Sequence, residues 1–242
     1  MSGHSKWSTI KRKKGEKDGA RAKVFTKISR EIIVAVKEGG ADPSSNSKLA
    51  QLIQKAKSNN IPNDNIDRLL KKASGDAEKS NYEDCVYEGY GPNGVALIVE
   101  CLTDNRNRTA GEIRHYFDKF GGNLGTSGCV SFMFSTKGIV VLDNEDETID
   151  EDKAMEDILE AGGDDFTFEE GCVEITTDPA TVAEVGNALA AMGYTVLRAE
   201  PAKVPATYTA LTDEDHIKKM TLLLETLEDN DDVQNVWHNW EE

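Results

Sequence analysis

A chain of 242 residues, 38% of them hydrophobic, is long enough for one large domain or two to three small ones and apolar enough for folded cores. Its 44 acidic residues outnumber 28 basic ones, for a net charge of −16, so an even spread of charge would repel polyphosphate. No apolar run approaches the ~20 residues of a bilayer crossing, and no apolar core follows the start as in a secretory signal, which predicts a soluble cytoplasmic protein with no membrane partner.

The charge is not spread evenly. Residues 1–30 hold ten Lys or Arg against two acids, residues 31–78 hold seven of each, and residues 79–242 carry a net −24. Before Val24 the only large apolar residues are Trp7 and Ile10, too few to order the segment, so it reads as an arm that stays unfolded until something binds it. Trp7 offers a stacking plane beside His4 and Lys6. The run Lys11, Arg12, Lys13 and Lys14, then Lys17 and Arg21, supplies charges that neutralise phosphates. A solvated tail or a nuclear-type address is the alternative for such a composition. A mitochondrial presequence fits poorly, because lysine dominates, Glu16 and Asp18 interrupt, and no amphipathic period runs through residue 20.

From Ala22 the pattern becomes helical, with Phe25, Ile28, Ile32 and Val36 on one face and Gly39-Gly40 as the stop. Lys23, Lys27 and Arg30 fall at i, i+4 and i+7 and extend the arm's charge along this helix. A second helix is predicted from Ser44–Asn46 with Leu49, Leu52, Ile53 and Ala56 inward. A third follows Pro62 with Ile66, Leu69, Leu70 and Ala73, closed by Gly75. Lys55, Lys57, Arg68, Lys71 and Lys72 fit solvated faces or the same basic surface.

After the polar stretch 76–84 the period shortens toward two. Strands are predicted at 85–90, 95–102, 129–135 and 137–142, with a helix from Thr109 to Phe120 begun by the capping box Thr109-x-x-Glu112. A helix near 150–161, strands near 164–169 and 172–177, a helix begun by Asp178-Pro179 and a strand near 194–200 complete a β-α-β-β-α-β unit. The last stretch gives a strand near 206–211, a helix introduced by Thr212-x-x-Asp215 and a strand at 233–240. Joined to 95–135, these form a second such unit. The predicted fold class is therefore α+β: a three-helix domain at 1–79 with the arm, then two ferredoxin-like domains, one inserted in the other. Residues 133–204 form the insert and 80–132 with 205–242 the host. A plain succession of domains is the competing arrangement.

Most motifs dissolve in context. Gly89-x-Gly91-x-x-Gly94 precedes a strand where a dinucleotide fold needs a helix, and the glycines of 121–128 lack a P-loop lysine. The acidic run 143–152 has Thr148 where a calcium loop needs glycine. Four cysteines, Cys85, Cys101, Cys129 and Cys172, stand singly in apolar runs and read as buried free thiols, while His4, His115, His216 and His238 are isolated. No catalytic constellation, metal site or cofactor motif follows. The loop Thr103–Thr109 stands apart: Asn105, Arg106, Asn107 and Arg108 precede a helix N-terminus and suit a secondary phosphate or RNA contact, with internal pairing to carboxylates as the alternative.

Specific stretches carry a family resemblance: Gly3-His4-Ser5-Lys6-Trp7, Glu38 to Pro43, Asn60-Ile61-Pro62, Glu88 to Pro92, the 103–109 loop and Gly121 to Leu124. In these the sequence resembles the YebC/PmpR family over nearly its whole length. The resemblance implies a cytoplasmic protein of three domains, usually described as a DNA-binding transcriptional regulator. Related members act in translation, as mitochondrial activators or as ribosome-associated factors that relieve stalling. Cys129 stands where the family commonly has a small hydroxyl residue.

Three functions are left to compare. The first is a non-enzymatic nucleic-acid-binding regulator whose partner is DNA or ribosomal RNA, with the ribosome as a possible platform and a monomer as the expected state. The second is a protein-interaction adaptor using the acidic body. The third is a metal-dependent nuclease built on clustered acids.

Overall fold

The computed structural model describes residues 19–76 and 81–241. His4, Lys6, Trp7, Lys11, Arg12, Lys13, Lys14, Lys17 and the side chain of Arg21 lie outside what is described.

Three helices come first: α1 (Gly19–Gly39), α2 (Ser47–Ser58) and α3 (Asn63–Asp76). Their apolar faces meet in one cluster that includes Ile28, Ile32 and Val36 of α1, Leu49, Leu52 and Ala56 of α2, and Ile66, Leu69 and Ala73 of α3. Asn46 closes the corner. Its Oδ1 accepts the Leu49 amide at 3.0 Å as N-cap of α2, and its Nδ2 donates to the Ala35 carbonyl at 2.8 Å and the Gly40 carbonyl at 2.9 Å. A Cβ at Gly39 would stand 2.7 Å from that amide nitrogen, so the glycine there makes room for the cap.

Then come β1 (Glu83–Tyr90), β2 (Ala96–Thr103), α4 (Arg106–Lys119), β3 (Asn123–Leu124), β4 (Phe134–Asp143), α5 (Glu151–Ala161) and β5 (Asp165–Glu169). They are followed by β6 (Cys172–Thr177), α6 (Val182–Ala191), β7 (Val196–Pro205), β8 (Thr209–Ala210), α7 (Glu214–Asp229), β9 (Val233–His238) and β10 (Trp240–Glu241). The class is α+β, helices first and sheets after. Among the described residues the chain divides into two compact units, Phe132–Tyr208 with Glu241, and 19–131 with Thr209–Trp240.

In the smaller unit the strand order is β5-β6-β4-β7, all antiparallel, with α5 and α6 supplying the crossovers. This is the split β-α-β-β-α-β arrangement, closed over Val140, Leu142, Ile158, Val173, Ile175, Val185 and Leu189. β4 is one strand where the sequence predicts two, and residues 131–133 form a short 3₁₀ turn. The reason is its partner: β7 pairs with β4 from Phe134↔Pro205 to Leu142↔Val196, so no break at residue 136 is tolerated.

In the larger unit the order is β3-β1-β2-β9. The strand expected near 206–211 is not in this sheet; Thr209–Ala210 pairs instead with Trp240–Glu241. β1 stands between β2 and β3 in this sheet. β1 reaches β2 across the short turn at Gly91–Gly94, with Tyr90 opposite Ala96, so this pairing closes with little loop entropy and leaves one β2 edge for β9. Leu97, Val99, Ile113, Phe117, Met220, Leu223, Leu227 and Val233 fill the space between this sheet, α4 and α7. The Gly89 motif is thus a hairpin, and a Cβ at Gly89 would stand 2.5 Å from the Asn123 carbonyl oxygen. Cys85, Cys101 and Cys172 are buried, Cys129 is half-buried, and all four are free. Among the described residues no helix is long and apolar enough to cross a membrane.

Candidate nucleic-acid interface

The basic stripe of α1 lies in the larger unit, and the structure shows what its cations meet. Lys23 Nζ is 2.6 Å from Asp229 Oδ1. Lys27 Nζ donates to the Glu228 carbonyl at 2.7 Å, in the last turn of α7, where unpaired carbonyls carry partial negative charge. Arg30 Nη1 donates to the Asp231 carbonyl at 2.7 Å and to Asp232 Oδ1 at 2.6 Å, with its guanidinium 5.6 Å from the Tyr82 ring centroid. Helical spacing thus sets three cations against consecutive acceptors in residues 228–232.

Asp232 is the centre of this corner. Its side chain is 5% exposed. Its Oδ2 receives Arg108 Nη2 at 2.7 Å, the Thr109 hydroxyl at 2.7 Å and the Thr103 hydroxyl at 3.0 Å. Burial alone would raise its pKa, but the hydrogen bonds from Arg108, Thr109, Arg30 and Thr103 prevail and bring it down to about 2. A buried carboxylate held by two guanidinium groups and two hydroxyls therefore ties α1, the end of β2, the start of α4 and the entry to β9 together.

The arginine loop takes a different form from the one its sequence predicts. α4 begins at Arg106, and Asn105 is its N-cap, accepting the Arg108 amide at 3.1 Å. Thr109 lies inside the helix and bonds to Asp232 rather than opening a capping box. At α7, likewise, the cap is Asp213, which accepts the amides of Asp215 and His216. Of the four predicted secondary contacts, Asn105 is spent on capping. Arg108 pairs with Asp104 at 2.9 Å as well as Asp232, and hydrogen bonds to Asp232 and then Asp104 raise its pKa further. Internal pairing describes Arg108. Arg106 and Asn107 stand exposed on the first turn.

A second buried carboxylate escaped the sequence reading. Glu88 lies on β1 and accepts the amides of Gly128 at 2.8 Å, Val130 at 2.9 Å and Ser131 at 2.9 Å. Burial pushes its pKa up, yet the amides of Val130, Gly128 and Ser131 hold it below the ordinary value. The glycine-rich loop is therefore a backbone nest filled by the protein's own anion. A carboxylate in a strand followed by a loop rich in free amides was the only signal available. Asp232 gave less, because it closes the acidic run Asp229-Asn230-Asp231-Asp232. In the acidic run at 143–152, Asp143 and Asn144 accept the amides of Glu145 and Ile149, and Asp150 caps α5.

Comparison with known proteins agrees with this architecture. Residues 5–76 match a family model described as the TACO1/YebC protein N-terminal domain, and residues 82–240 match one described as the TACO1/YebC second and third domain. A protein of Ruminiclostridium cellulolyticum named "Probable transcriptional regulatory protein" is 58% identical over 242 residues, covering 100% of this chain and 97% of its own. A protein of the same name from Finegoldia magna is 54% identical over 241 residues, covering 100% and 99%. The fold is similar to the crystal structure of a conserved hypothetical protein, Aq1575 from Aquifex aeolicus. That similarity has a TM-score of 0.84 and 40% identity, covering 94% of this chain and 93% of that one. With one family model matched through the helices and the other from β1 to the last strand, the chain belongs to the TACO1/YebC family.

Proposed function

We propose that the protein is a non-enzymatic regulator of gene expression that binds nucleic acid through its basic arm, acting as a DNA-binding transcriptional regulator. Its contacts are His4, Lys6, Trp7, Lys11, Arg12, Lys13, Lys14, Lys17 and Arg21, with Lys23 next in line on α1 and Arg106 and Asn107 as a secondary contact. The observation that carries the reading is charge segregation: residues 1–30 hold a net +8 and residues 79–242 a net −24. Cations concentrated on one segment grip a phosphate polymer, while the acidic body limits where that polymer can lie. The names of the relatives support a regulatory role. We further read the molecule as a cytoplasmic monomer of three domains, with 133–204 inserted between 80–132 and 205–242.

A second reading, a translation factor bound to ribosomal RNA, is favoured by the orientation of the α1 cations. They turn to residues 228–232, which suits backbone contact by the arm better than base reading by this helix.

The test is the affinity of the full chain for duplex DNA and single-stranded RNA across a salt series. With ~6 phosphates neutralised, log K falls against log salt with a slope near −5 on duplex and about −4 on single strands. Deleting residues 2–20 abolishes this binding. An affinity independent of salt, or unchanged by the deletion, rejects the reading. Crosslinking in cells with sequencing of both nucleic acids then decides between DNA and RNA.

A further inference from the structure

We propose that the acidic corner at residues 228–232 is an intramolecular competitor of nucleic acid, so that the α1 stripe is a masked extension of the interface and Asp229 its mask. This rests on the arm reading above. Asp229, the carbonyls of Glu228 and Asp231, and Asp232 offer the stripe what a phosphodiester backbone offers: anionic or strongly polar oxygens spaced to meet ammonium groups and one guanidinium.

Burial grades the three contacts. Arg30 is 17% exposed and faces a carboxylate that is 5% exposed, so its departure would strand a buried charge. Arg30 is fixed. Lys27 meets a carbonyl in a half-buried contact, and no carboxylate is stranded there when it leaves. The Lys23–Asp229 pair is 43% and 71% exposed, in reach of water and of any competing anion, and such pairs hold weakly. The mask therefore lifts from the end nearest the arm: Lys23 first, Lys27 second, Arg30 not at all. A phosphate that takes Lys23 returns Asp229 to solvent rather than to the interior.

The test compares full-length Asp229→Asn, Lys23→Gln and the double variant with Glu160→Gln, which removes an exposed acid from α5 in the other unit and reports the general effect of one charge. The probes are single-stranded poly(U) RNA of about 20 nucleotides and a DNA duplex of about 20 base pairs, titrated across a salt series. Relative to the control, Asp229→Asn steepens the duplex slope by about 0.9 and tightens binding up to about eightfold at 0.1 M salt, the effect of one further released counter-ion. Adding Lys23→Gln cancels that gain, because no ammonium is left there for a phosphate to take, and Lys23→Gln alone lowers the slope by less than it does in the Asp229→Asn background. If Asp229→Asn matches the control while deletion of residues 2–20 still abolishes binding, the mask is overturned and the arm survives. If binding is indifferent to that deletion, the arm reading falls and the mask with it.

Discussion

The two four-stranded sheets solve one problem in two ways. The sheet of the smaller unit is built from consecutive residues, 134–205, and its order β5-β6-β4-β7 closes on an apolar cluster. The sheet of the larger unit joins residues 83–124 to 233–238, segments more than a hundred residues apart. There the chain has added buried carboxylates: Asp232 gathers residues 30, 103, 108 and 109, and Glu88 gathers the amides of 128–131. Apolar contact is non-directional, whereas a carboxylate with four specific donors accepts one geometry. In the larger unit Asp232 fixes a junction that joins segments far apart in the chain.

The sharpest way to break this comparison is to remove each device in turn. Asp232→Ala leaves Arg30 and Arg108 without their buried partner, a class of change that costs ~3–5 kcal/mol. Leu189→Ala in the smaller unit removes side-chain volume from a fully buried position, for ~2–5 kcal/mol. Native-state hydrogen exchange separates the two. Asp232→Ala lowers protection in β2 and β9 and spares β6, and Leu189→Ala does the reverse. Equal loss in both sheets from either change would erase the distinction.

Acid is the next perturbation. Asp232 titrates at about 2 instead of 3.8, and Glu88 is also depressed. A depressed carboxyl binds its proton more weakly in the folded state, so its stabilisation is complete above the ordinary carboxylate range and fades as pH falls from about 4 toward 2. For Asp232 this amounts to about 2 kcal/mol. Among the described residues tryptophan occurs at Trp237 and Trp240, both in the larger unit, so fluorescence-detected urea unfolding, read against a Trp7→Phe background, follows the relevant region. The urea midpoint drops between pH 5 and pH 2.5, and Asp232→Asn flattens that drop. A wild-type midpoint as flat as the variant's would show that Asp232 does not titrate low.

Much of the fold was legible because periodicity reports which face of an element is buried. The three helices, and the unit built on β4 to β7, follow from apolar residues at i, i+3, i+4 or at alternate positions. Periodicity does not report the partner. Val86 to Tyr90 alternates as well as residues 206–211 do, and only the short turn at 91–94 decides that β1 takes the central place. Helix starts misled for a related reason: Thr109-x-x-Glu112 has capping-box chemistry, but Asn105 stands four residues earlier and caps first. The buried carboxylates were least visible. Asp229, Asp231 and Asp232 look alike in sequence, yet only Asp232 meets four donors drawn from α1, β2 and α4. The arm was legible as charge and composition alone.

The smallest expected effect tests whether burial, rather than charge, decides what the α1 stripe contributes to the fold. Lys23 and Arg30 lie on the same face and both meet aspartates at 2.6 Å, so a count of ion pairs would rank them equal. Lys23→Gln removes a pair that water already screens and shifts stability by less than about 0.5 kcal/mol. Arg30→Gln strands Asp232 at one of its oxygens while Arg108, Thr103 and Thr109 still hold the other, so it falls between Lys23→Gln and Asp232→Ala. Raising the salt concentration separates them again. The Lys23 contribution vanishes, because ions reach an exposed pair, while the Arg30 contribution persists, because they do not reach a carboxylate enclosed by β2, α4 and α1. If urea midpoints gave equal losses for Lys23→Gln and Arg30→Gln at low salt, or equal recovery at high salt, the corner would be a solvated ion cluster rather than a buried junction.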